Sequence, residues 1–137
     1  MLQGMAVLLW LHLVGAALWL GGLATLATAV LVALRTLPSE MFRVFVRHAG
    51  WAFAGLSALA WLLIAVSGLL MAGRLGWPEL VRIKTAVAGA LLAATALHVV
   101  TGRVPASRLA VATSRAMAVL IFGGTMVIFW LGVQAAA

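Results

Sequence analysis

The sequence contains no cysteine and no tyrosine, and only two acidic residues, Glu40 and Glu79, among 137. Without cysteine there is no disulfide framework, no thiolate metal site and no haem attached through Cys-x-x-Cys-His. Without tyrosine there is no tyrosyl radical and no phenolic proton relay. Both glutamates fall at predicted helix starts, so no carboxylate lies inside an apolar run. That excludes a carboxylate proton relay and a carboxylate-based cation exchanger within the membrane. Charge is scarce overall: 8% of residues, where a soluble domain carries about 25%.

What is present is apolar. Hydrophobic residues make up 66% of the chain. A soluble fold of this size leaves much of its surface in water and has no means of hiding that much apolar area. A soluble enzyme, a nucleic-acid-binding domain and a disordered tail are excluded. A polytopic membrane protein remains. Nine Lys and Arg give a net charge of +7. They fall in the gaps between apolar runs, as expected of loops held at an anionic membrane face.

A hydrocarbon core of about 30 Å needs roughly 20 apolar residues in a helix. Four stretches qualify, at about 5–34, 41–73, 79–101 and 107–134. The first lacks a basic n-region and runs on past the length of a signal-peptide core, so it is expected to be a true span. Pro38-Ser39 precedes the second stretch, with Ser39 the expected N-cap. Gly76-Trp77-Pro78 precedes the third, and Pro105 lies before the fourth. Such short connections make successive helices antiparallel neighbours. The predicted fold is all-α integral membrane: one domain over 1–137, an up-down-up-down four-transmembrane-helix bundle.

Connections one and three carry or flank Arg35, Arg43, Arg47, Arg103, Arg108 and Arg115. The opposite side has Arg74, Arg82 and Lys84. The positive-inside rule therefore places connections one and three in the cytoplasm and both termini on the outer side. Gly15, Gly22, Gly50, Gly55, Gly89, Gly123 and Gly124 lie within the spans. Small residues let helix backbones approach in lipid, and some are candidates for making room for a flat cofactor. Gly55 follows His48 by seven residues, on nearly the same face. The tryptophans, Trp10, Trp19, Trp51, Trp61, Trp77 and Trp130, read as interface anchors or lipid-facing packing.

Ionisable groups at membrane depth are expensive, and each is a functional candidate. They are His12, His48, Lys84 and His98. His48 comes about two turns into the second helix. His98 comes about one turn before the end of the third. At ~1.5 Å per residue the two are level. Haem b with two axial imidazoles needs such a pair, one from each of two helices. Arg43, Arg47, Arg103 and Arg108 cluster at the same face and are candidates for holding haem propionates. The competing reading is interfacial, with the histidines meeting water or headgroups and the arginines snorkelling to lipid phosphate.

A second constellation lies toward the other side. His12 and Lys84 are level there, Met5 shares a stripe with His12, and Met71 and Met126 fall toward the same side. Thioether and imidazole ligands suit Cu(I), which makes Met5, His12, Met71 and Lys84 a candidate copper entry site. Methionine is also ordinary packing filler, and a lysine there is equally able to snorkel.

The stretch Leu11-His12-Leu13-Val14-Gly15, followed by Trp19-Leu20-Gly21-Gly22-Leu23, resembles the opening helix of CopD-type copper-resistance membrane proteins. It is also similar to the first helix of HemJ-type protoporphyrinogen oxidases, which are related four-helix bundles. The Arg43/Arg47 start of the second helix and the Lys84-to-His98 spacing of the third look CopD-like. The fourth helix carries no matching motif. The HemJ-type likeness implies haem b and functional roles for His12 and Lys84; the aromatic, His-containing end of that family's first helix is missing here. The CopD-type likeness implies copper uptake; this chain has no Met/His-rich outer loop.

Three readings stay open at this point. The leading one is a CopD-like protein of a bacterial-type inner membrane, housing a redox metal centre. That centre is haem b on His48 and His98, with His12 the competing ligand, and the protein passes electrons, with a larger membrane redox complex as the expected partner. The second is copper ion transport through Met5, His12, Met71 and Lys84. The third is a cofactor-free accessory or assembly subunit that packs through its Gly/Ala faces.

Overall fold

The computed structural model describes residues 2–101 and 108–134. Within them the chain forms four α-helices: α1 (Leu2–Thr36), α2 (Ser39–Leu75), α3 (Glu79–Thr101) and α4 (Arg108–Gln134). All four are long and apolar enough to cross a membrane. Each expected span is present, with ends within about one turn of those read from hydropathy. The chain divides into two compact units, Met1–Arg74 and Leu75–Ala137.

The link from α1 to α2 is two residues. The amide of Leu37 donates to the Ala33 carbonyl, closing α1, and the amide of Phe42 donates to the Pro38 carbonyl, opening α2. The residue whose carbonyl accepts the first helical bond is the N-cap. Pro38 therefore caps α2 and Ser39 is its first helical residue, one position from expectation. A proline has no N–H to leave unsatisfied there. Pro78 opens α3 the same way, its carbonyl accepting from the Arg82 amide. Before it, Gly76 has φ 73° and Trp77 φ 56°. Left-handed backbone is free for the glycine and strained for the tryptophan.

In the first unit, α1 and α2 are antiparallel and meet along a narrow seam. His12, Gly15, Trp19 and Gly22 recur on α1 at steps of three and four. Phe53, Ser57, Ala60, Ile64 and Ser67 recur likewise on α2. This is the spacing of helices that interdigitate over a long contact. A β-carbon on Gly15 would meet the Ala60 carbonyl oxygen at 2.9 Å, and one on Gly22 would meet the Phe53 ring at 2.9 Å. Between them Trp19 stacks edge-on to Trp61, with ring centroids 5.3 Å apart, and lies 5.8 Å from Phe53. Trp19 and Trp61 are thus buried seam residues rather than interface anchors. Trp10, Trp51 and Trp130 do face outward.

In the second unit, α3 and α4 are antiparallel. Leu91 fills the notch left by Gly124, where a β-carbon would lie 2.5 Å from its Cδ2. Among the described residues each helix exposes large apolar side chains; Val119 is 72% exposed and Trp130 64%. Side chains of this kind need a lipid surround.

Candidate functional site

The start of α2 gathers one candidate set. Glu40, Arg43, Val44, Arg47 and His48 follow the i, i+3, i+4 pattern of a single helix face. Glu40, Arg43, Val44 and Arg47 line a surface hollow there. Arg43 leans toward Glu40 at 3.7 Å, a pair exposed enough to add little stability. His48 is exposed, and its Nδ1 donates to the Val44 carbonyl at 2.8 Å. A carbonyl only accepts, so that contact fixes the proton on Nδ1 and leaves Nε2 as the lone-pair nitrogen. Imidazoles that bind metals are oriented in just this way. Gly55, seven residues on, has nothing within 4 Å of where its β-carbon would be. Among the described residues, then, nothing contacts the Gly55 position on the face expected beside His48.

His12 lies elsewhere. It is half-buried in the α1–α2 seam, with Nδ1 3.1 Å from both the Ile64 carbonyl and Ser67 Oγ. Ser67, 1% exposed, donates its own proton to the Leu63 carbonyl, so its oxygen accepts from His12. Gly68 makes room for the ring, as a β-carbon there would lie 3.2 Å from His12 Cε1. Along α2, Ile64 is about 24 Å from His48 and about 160° round the helix. His12 and His48 are not brought together.

The candidate copper residues are placed in part on one line. Met5 precedes His12 by seven residues on α1, and Met71 follows Ile64 by seven on α2. Both are half-buried. Gly4 faces Arg74 and His12 faces Gly68, so Met5 and Met71 fall, by position along their helices, between those two contacts. Lys84 belongs to the second unit, where its Nζ lies against Gly132 of α4. Met126 is also in α4 and 40% exposed.

His98 is half-buried on α3. Arg103 lies outside the described residues, and Arg108 begins α4. Among the described residues no group of three or more His, Asp or Glu side chains comes together. Two contributors were not legible from sequence: Ser67, which holds His12, and Gly132, which receives Lys84. Their signal is positional, since each lies on the inner stripe of its helix, but the pairing becomes visible only once register is known. Of the glycines singled out, Gly15, Gly22 and Gly124 make close contacts. Among the described residues Gly50, Gly55, Gly89 and Gly123 have nothing within 4 Å of the β-carbon position.

Comparison with family profiles, with curated proteins and with solved structures finds no match.

Proposed function

We propose that the protein is a CopD-like multi-pass protein of a bacterial-type inner membrane that binds haem b and passes electrons. The observation that carries this reading is the α2 face on which Val44 fixes the His48 tautomer beside Arg43 and Arg47. His48 would supply one axial nitrogen, and His98 the other. Arg43 and Arg47 would hold the propionates by charge-assisted hydrogen bonds. Bound there, haem b supplies one-electron redox chemistry. The chain's own part is to orient the imidazole, offer cationic donors to acidic groups and leave space beside Gly55 for a flat ring. The reading takes the chain as an up-down-up-down bundle with both termini outside, which puts His48 near the cytoplasmic face. A larger membrane redox complex is the expected electron partner. The experiment is an oxidised and reduced absorption spectrum of detergent-purified protein expressed with haem supply. A Soret band lost in His48→Ala supports the proposal, and no Soret band in the parent protein ends it, leaving the cofactor-free subunit.

One observation favours copper as a second reading. Met5 and Met71 each lie seven residues from the His12–Ile64 contact along α1 and α2, and Ile64 and Ser67 hold the His12 proton on Nδ1. Two thioethers and an imidazole suit Cu(I). Copper accumulation in whole cells tests it: uptake unchanged by Met5→Leu, His12→Ala and Met71→Leu counts against it.

A further inference from the structure

Lys84 is a cation five residues into a membrane-spanning helix, in a place that the haem reading does not use. Its side chain does not run along its own helix. It crosses to α4, where the β-carbon of a residue at 132 would lie 3.2 Å from Nζ and 3.8 Å from Cε. Gly132 is therefore a notch that seats the ammonium. The last turn of α4 has no basic residue of its own. The partial negative charge of that helix end favours a cation beside it. The seat accounts for the position of the charge. An ammonium has three N–H donors. Among the described residues Lys84 has neither an ion pair nor a hydrogen bond. The two glutamates are not its partners, since Glu40 pairs with Arg43 and Glu79 lies about 140° away round α3. At membrane depth, unmet polar donors are costly.

We infer that the Lys84–Gly132 notch binds the anionic head of a membrane amphiphile, a phosphate or carboxylate oxygen accepting from Nζ. The site differs from a snorkelling lysine in one respect. A snorkelling lysine has a flexible stem and meets any headgroup, whereas this ammonium lies against a second helix, in the space that Gly132 leaves. Binding should then be stoichiometric, should favour a head with net negative charge, and should depend on the notch as well as on the charge. The inference is independent of the haem reading.

Native mass spectrometry of the full chain in detergent tests it, with phosphatidylglycerol, phosphatidylcholine and a long-chain fatty acid titrated separately. The expected result is one retained phosphatidylglycerol or fatty acid per chain, and at least tenfold weaker retention of phosphatidylcholine. Whichever acidic ligand is held more tightly identifies the source. Lys84→Gln should weaken retention about tenfold. Gly132→Leu, which keeps the charge and fills the notch, should do the same. Arg82→Gln removes an exposed charge two residues away and should change nothing. Helical circular dichroism of each variant shows that it is folded; if Gly132→Leu does not fold, Gly132→Ala should still lower retention relative to Arg82→Gln. Equal retention of all three amphiphiles, no retention at all, or loss in Arg82→Gln equal to that in Lys84→Gln would overturn the inference.

Discussion

Gly15 faces the Ala60 carbonyl oxygen so closely that a β-carbon would lie 2.9 Å from it, with Ile64 and Leu63 at 2.9 and 3.0 Å. The clash is with backbone, which cannot swing aside as a side-chain tip does. Gly15→Ala should therefore part the two helices and destabilise the first unit by about 1–3 kcal/mol, the usual cost of overpacking. Gly21→Ala, where no described residue lies within 4 Å of the β-carbon position, serves as control. Thermal unfolding in detergent measures the difference; equal midpoints would mean that the seam is not as close as described.

Two buried serines of α2 predict opposite outcomes. Ser67 is bonded to His12 and to the Leu63 carbonyl. Ser57 is buried, and among the described residues its hydroxyl has no partner. An unsatisfied buried group costs stability, and a satisfied one costs stability when removed. Ser57→Ala should be neutral or raise the unfolding midpoint. Ser67→Ala should lower it, by about 1 kcal/mol or less, as bilayer hydrogen bonds are modest. Equal shifts of the same sign in both variants would contradict the hydrogen-bond assignment.

His12 and His48 lie on opposite sides of α2 and far apart along it, so their substitutions should separate. His12→Ala should loosen the α1–α2 seam, seen as a lower unfolding midpoint, with the haem absorbance kept. His48→Ala should remove the absorbance and leave the midpoint of the haem-free protein near that of its parent. The reverse pattern would transfer the axial role to His12.

How far the sequence reached depends on which scale carried the signal. Span positions were legible because apolar length is a property of each helix alone, and α1 to α4 fall where hydropathy puts them. The Pro38 and Pro78 breaks were legible because a missing N–H is local chemistry. The seam was not. Trp19 and Trp61 look like interface anchors by residue type, and only the register of α1 on α2 turns them inward. Val44 as the partner of His48 was accessible in principle, since i−4 carbonyls lie beside every helical side chain. Ile64 and Ser67 as partners of His12 were not, for they are 52 and 55 residues distant.

Arg43 and Arg47 give a graded prediction. Replacing both by Gln should weaken haem retention several-fold, since each offers an exposed charge-assisted contact of modest strength. The reduced spectrum of the haem that remains should keep its shape, because in the proposed site both arginines would meet the propionates and neither would supply an axial ligand. Retention unchanged in the double variant would remove the arginines from the site.

The most direct measurement is the low-spin signature of the iron. The purified protein, expressed with haem supply, should show a Soret band and sharp reduced α and β bands, as two axial imidazoles would give, and His48→Ala and His98→Ala should each abolish them. A parent protein with no Soret band, or one whose spectrum survives both substitutions, would contradict it.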